Sequence, residues 1–181
     1  MPIISRLLDA PALGRVLTRM ASEIVERTAG HGPVVLVGIQ RRGVQLADRL
    51  APLIEAALGE PLRRGVLDIT LYRDDLQAIG PRPVVQETRL PPALDGTTVV
   101  IVDDVLFTGR TIRAALDEIA DFGRPRRVLL AVLVDRGGRE LPIAADVTGL
   151  TVATTPGDHV KVLVGDLDGE DAVDLVRRSE G

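Results

Sequence analysis

Apolar residues at Leu13, Val16, Leu17, Met20, Ile24 and Val25 recur at helical spacing. They follow Asp9, a natural N-cap, and Pro11, which suits a first turn, so the pattern predicts a helix closed by Gly30. Residues 33–38 form a short, β-branched apolar run that reads as a buried strand. A second helix opens at Gly43, with Val44, Ala47, Leu50, Leu53 and Ile54 inward, and Pro52 should kink or divide it. Residues 66–72 and 84–88 are strand candidates. The polar, proline-bearing stretch 73–83 between them has the character of a mobile lid. Pro91-Pro92 and Asp95-Gly96 mark turns. Residues 97–102 are a buried strand, followed by a helix over about 108–122 that Gly123 caps and Pro125 stops. Another apolar strand spans 127–134. After Gly137-Gly138 come shorter segments and a hairpin, with Val160, Val162 and Val164 alternating and Gly169 in the turn. Strands alternating with helices predict an α/β fold built on a mostly parallel central sheet.

Composition narrows the setting. A chain of 181 residues fits one domain, and 45% hydrophobic content supports an ordinary globular core. Tyr72, Phe107 and Phe122 are the only aromatics, so that core must be aliphatic. With no cysteine there is neither a disulfide scaffold nor a thiolate metal site. No apolar run reaches the ~18 residues of a membrane span, and Arg6, Asp9, Arg15 and Arg19 break up the N-terminus, so a cytoplasmic protein is expected. The net charge of −4 argues against a surface that grips nucleic acid all over, while leaving room for a local basic patch.

The most specific string is Val-Val-Ile-Val-Asp-Asp-Val-Leu-Phe-Thr-Gly-Arg-Thr at 99–111. An apolar strand delivers two consecutive carboxylates, Asp103 and Asp104, to its carboxyl end, where open α/β sheets bind ligands. The turn formed by Leu106, Phe107, Thr108, Gly109, Arg110 and Thr111 then enters a helix. A helix N-terminus offers free N–H groups and a positive dipole end to a phosphate. Carboxylates can accept from vicinal sugar hydroxyls, so a sugar phosphate is the natural occupant. The string is not a Walker A loop, and a receiver-domain reading lacks a well-placed lysine, Lys161 being the only one. A second loop, Ile39, Gln40, Arg41, Arg42 and Gly43, places two arginines between glycines ahead of a helix, where they can clamp a diphosphate. His31 and His159 read as incidental, and Arg124, Arg126 and Arg127 as a solvated turn.

The 99–111 string resembles the fingerprint of type I phosphoribosyltransferases. Together with residues 68–76 (Asp-Ile-Thr-Leu-Tyr-Arg-Asp-Asp-Leu), 130–137 and 139–143, it is similar to the PyrR family, over about 18–170. That resemblance implies the type I phosphoribosyltransferase fold, with a lid loop and a small hood region. It implies conversion of uracil and phosphoribosyl pyrophosphate to UMP and pyrophosphate, with Mg²⁺ carried by the substrate rather than by a direct protein site. It places the ribose hydroxyls on Asp103 and Asp104, the 5′-phosphate on residues 106–111, and the pyrophosphate on the 39–43 loop. Arg73, Asp74 and Asp75 would belong to the lid, and Arg136 and Val160 to the nucleotide and base region. The family also regulates pyrimidine operons by attenuation, binding leader RNA under control of uridine nucleotides such as UMP and UTP. A homodimer or higher homo-oligomer is expected.

Four positions depart from the family pattern. Ser22 stands for a histidine in the first helix, Gly138 for another, Ala144 for an arginine and Leu150 for a lysine. Thr18, Arg19 and Arg27 remain on the polar side of that helix as candidates to meet RNA, and weaker, less salt-sensitive RNA binding is expected. Two other readings stay open: a phosphoribosyltransferase for a purine base, and a non-catalytic nucleotide-sensing regulator.

Overall fold

The computed structural model describes residues 3–70 and 87–177. The lid expectation, with Arg73, Asp74 and Asp75, lies outside the described residues, as do most of the strand expected at 84–88.

The strands are β1 (Ile3–Leu8), β2 (Val34–Ile39), β3 (Arg63–Leu67), β4 (Thr98–Leu106), β5 (Arg127–Asp135), β6 (Val147–Thr151), β7 (Asp158–Leu163) and β8 (Ala172–Arg177). The helices are α1 (Ala10–Thr28), α2 (Arg42–Leu58), α3 (Arg110–Phe122) and the single turn α4 (Gly165–Asp168). Five strands form a parallel sheet in the order β3-β2-β4-β5-β6. A second, antiparallel sheet, β1-β8-β7, joins the two ends of the described chain.

Burial on both faces explains the sequence of the parallel strands. Leu36, Val100, Val102, Leu129 and Leu133 pack with α1 and α2 on one side. Val35, Val37, Val99, Ile101, Leu130 and Val132 pack with α3 on the other. Asp9 caps α1 as expected, its carboxylate accepting from Ala12 N at 2.9 Å. Gly149 lets α1 lie close on β6, since a Cβ there would meet Val16 and Met20.

Several boundaries differ from the sequence expectation. Helix α2 runs unbroken through Pro52, because Leu50, Ala51 and Ile54 are fully buried around it and hold the axis. Strand β3 starts at Arg63 and ends at Leu67, and the return segment contributes one antiparallel bridge, Val66 with Arg89. Strand β4 continues through both aspartates to Leu106, and α3 begins at Arg110 rather than 108. Strands β1 and β6 were not expected at all.

Candidate functional site

The carboxyl end of β4 carries Asp103 and Asp104. Asp103 is buried, and its Oδ1 accepts from Asp104 N at 2.9 Å; Asp104 Oδ1 accepts from Val105 N at 2.8 Å. Burial pushes both carboxyls above their ordinary range. The neighbouring Asp104 charge raises Asp103 further. For Asp104 the Val105 N–H and the positive Arg42 oppose the rise. Two adjacent acids with so little solvent form an electrostatic cost that a ligand offering donors would relieve.

Beyond them the chain turns through Leu106, Phe107, Thr108 and Gly109 into α3. Gly109 is the N-cap with φ +93, a left-handed conformation that favours glycine. Leu141 and Ile143 close over it, each within 3.5 Å of where a Cβ would stand. The turn is held from outside by the 139–143 segment. Thr108 O accepts from Glu140 N at 3.0 Å and Leu141 N at 3.1 Å, and Arg110 pairs with Glu140 at 2.8 Å. Arg139 donates to Phe107 O and Ile143 O and pairs with Asp135. Thr108 and Thr111 flank the helix start, and Thr108 Oγ1 accepts from Arg110 N at 3.3 Å.

The second loop, Ile39 to Gly43, reaches this place because two glycines permit it. A Cβ on Gly38 would lie 2.5 Å from Val44 Cα, and one on Gly43 2.4 Å from Val102 O. The start of α2 therefore lies against the backbone of β4. The Gln40–Arg41 peptide is cis. Arg41 is exposed, whereas Arg42 is half-buried and turned toward Asp104.

A cavity of about 340 Å³ opens beside Asp104 and Arg42, walled by His159, Val160, Lys161, Val162 and Val176. The structure thus joins one residue from each of three sequence-predicted groups: Asp104, Arg42 and Val160. Arg136 stands nearby in the fold, its guanidinium 4.0 Å from the centre of the Phe107 ring and donating to Asp158 O at 2.8 Å. Its Nε is buried without a hydrogen-bond partner. His159 and Lys161 belong to the cavity wall and were missed; their flanking of Val160 on a predicted strand was the available signal.

Thr18, Arg19 and Arg27 do not gather at this cavity. All three are exposed on α1, yet they are not free. Thr18 Oγ1 donates to Gly14 O; Arg27 pairs with Glu23 at 3.0 Å; Arg19 donates to Thr148 O and Gly149 O on β6. Among the described residues no three side chains of the metal-ligating types come together. The acids at the cavity are hard oxygen donors, suited to a hard cation such as Mg²⁺ that arrives with phosphate oxygens. No helix among the described residues is long and apolar enough to cross a membrane.

The family described as "Phosphoribosyl transferase domain" matches residues 4–165. The chain is 56% identical over 174 residues to the "Bifunctional protein PyrR" of Thermus thermophilus, covering 96% of each. It is 50% identical over 171 residues to the protein of that name from Clostridioides difficile, covering 94% of this chain and 97% of that protein. Among solved structures it resembles the hypoxanthine phosphoribosyltransferase of Trypanosoma cruzi, with a TM-score of 0.72 at 19% identity over 97% of each chain. At that identity the likeness speaks for the fold alone.

Proposed function

The chain belongs to the phosphoribosyltransferase family, within its PyrR branch, and on that premise we propose that it transfers the ribose 5-phosphate of phosphoribosyl pyrophosphate to uracil. The observation that carries this reading is the meeting of Asp104, Arg42 and Val160 around one cavity, with the Gly109 start of α3 five residues on from Asp104 in the chain. In the reaction the bond from C1′ to the diphosphate oxygen breaks, the electron pair leaving with the diphosphate, and N1 of uracil then forms a bond to C1′ of the ribose. The N1 proton passes to water or to the released diphosphate. Between the two events the sugar carries positive charge.

Each group then has a task. Asp103 and Asp104 accept from the ribose hydroxyls, exchanging a poorly solvated charge pair for charge-assisted hydrogen bonds. Thr108, Thr111 and the first turn of α3 after Gly109 hold the 5′-phosphate at the α3 N-terminus. The 39–43 loop, with Arg42 inward and Arg41 outward, takes the leaving diphosphate. Arg136 and Val160 border the base. A Mg²⁺ bound to the diphosphate would supply charge neutralisation of the leaving group, and Asp103 and Asp104 are oxygen donors that could hold it. Catalysis in this scheme is positioning and electrostatic stabilisation.

The test is formation of labelled UMP from uracil, with hypoxanthine and guanine as competing acceptors. Replacing Asp103 or Asp104 by Asn should weaken phosphoribosyl pyrophosphate binding on the order of ten- to a hundredfold, at about 1.5–3 kcal/mol per charge-assisted bond. Near-normal UMP formation by the double variant would sink the assignment, and preference for a purine would move the activity to another base.

We further propose a regulatory role, uridine-nucleotide-dependent binding of leader RNA, with the α1 face of Thr18, Arg19 and Arg27 as the candidate contact. With Ala144 and Leu150 at the family's cationic positions, that binding is weak and shallow in salt. Leu150 packs partly against the core, so Ala144→Arg, at an exposed position, is the cleaner restoration. It should steepen the log–log salt slope of RNA binding by about one unit. An unchanged slope in a gel-shift series would remove position 144 from RNA recognition. One folding unit over 1–181 and a homo-oligomer complete the reading; denaturant unfolding and sedimentation equilibrium test them.

A further inference from the structure

Two arginine forks of the same design join α2 to the segment after β7. Arg42 donates from Nε and Nη2 to Asp168 at 3.2 and 2.8 Å. Seven residues on, on the same side of the helix, Arg49 donates from Nη1 and Nη2 to Asp171 at 2.8 and 2.9 Å. Each aspartate also receives a backbone N–H from the start of α4: Val164 N to Asp168 Oδ2 at 2.8 Å, Gly165 N to Asp171 Oδ1 at 2.7 Å. The difference between the forks is where they stand. Arg49 does not border the cavity, whereas Arg42 lines it beside Asp104.

A guanidinium has five N–H groups in a fixed plane. Asp168 takes two, which fixes the plane and leaves three for a ligand. We infer that Asp168 is a positioning residue for the diphosphate of phosphoribosyl pyrophosphate: by gripping one edge of Arg42 it aims the other into the cavity. Without Asp168, Arg42 is a long half-exposed side chain beside the acid Asp104. Its nearest alternative partner is then Asp104, which would spend both the arginine and a ribose acceptor. Asp168 thus keeps the two charges of the site apart as well as orienting one of them. The inference rests on the reading of the 39–43 loop as the diphosphate loop.

Asn at 168 is nearly isosteric. Its oxygen can stay on Val164 N and Arg42 Nε, while its NH₂ faces Arg42 Nη2 and breaks that half of the fork. Asp168→Asn should therefore raise the KM for phosphoribosyl pyrophosphate about tenfold, the scale of one charge-assisted bond. The KM for uracil and kcat should stay within about twofold. Asp171→Asn is the internal control: it breaks the equivalent fork, so it should lower the melting temperature as much and leave that KM unchanged. In an Arg42→Gln background Asp168→Asn should add nothing. Should Asp168→Asn fail to fold, Asp168→Glu, which keeps the charge and displaces it, should show the same KM-against-kcat split.

Equal effects of the 168 and 171 variants on KM would reduce Asp168 to a structural clamp and overturn the inference. So would tighter substrate binding by Asp168→Asn, which would make Asp168 a competitor of the diphosphate. If Arg42→Gln weakens binding and Asp168→Asn does not, positioning falls while the loop assignment stands. If Arg42→Gln itself leaves the KM unchanged, the loop assignment falls and takes this inference with it.

Discussion

The two sheets arrive at the site by opposite routes. In the five-stranded sheet the inner strands β2, β4 and β5 are local apolar runs, and the parallel order sends their carboxyl ends to one edge. Its contribution, the β4–α3 turn, is contiguous in sequence. The three-stranded sheet is made by pairing residues from opposite ends of the described chain, Arg6 opposite Asp174 among them. Its contribution is a wall, β7, and through α4 a grip on Arg42. The chemistry of the site is thus encoded locally and its enclosure by long-range pairing.

The sharpest way to break that contrast is to weaken each sheet separately. Ile101→Ala removes a fully buried side chain from the centre of the parallel sheet and should cost about 2–5 kcal/mol of global stability in urea unfolding. A loss under about 1 kcal/mol would mean that this sheet is not the stability core. Gly43→Ala adds a methyl 2.4 Å from Val102 O, where backbone must shift. Overpacking of that kind costs about 1–3 kcal/mol, and UMP formation should fall further than stability alone explains. Equal loss in both would show that the α2–β4 approach is only structural.

A pH experiment separates cost from function. Burial holds Asp103 and Asp104 above their ordinary values, so the unfolded chain releases these protons at lower pH than the folded one. Linkage then makes the empty protein lose stability as pH rises from the ordinary carboxylate range through the raised folded values. Asp103→Asn should remove that loss: its denaturation midpoint should exceed the parent's at pH 7 and converge with it below pH 4. A lower midpoint at neutral pH would contradict the electrostatic account.

The smallest effect concerns the antiparallel sheet. Arg6 pairs with Asp174, which is buried, and with the exposed Glu170. Arg6→Gln should speed amide exchange in β1 and β8 and leave β4 unchanged. Faster exchange in β4 would mean the sheets open together.

What the sequence disclosed follows the same division. Asp103, Asp104, Gly109 and the arginine loop were legible because each motif is contiguous and spans a strand-to-helix junction. The β1 strand was not, since its meaning depends on β8, and neither was β6, whose five residues include Gly149. Nor could spacing pair Arg42 with Asp168, 126 residues away. Arg19 read as a free surface cation because its acceptors are backbone carbonyls of β6, which no side-chain pattern announces.

Gly138 ties three residues together. It sits at φ +74, and a Cβ there would come within 2.4 Å of the Phe107 ring, the ring against which Arg136 lies. The histidine of the family pattern at this position would have to push the exposed Phe107 side chain aside and adopt a backbone conformation that favours glycine. A side chain at 138 is therefore coupled to Phe107, and through the ring to the face of Arg136.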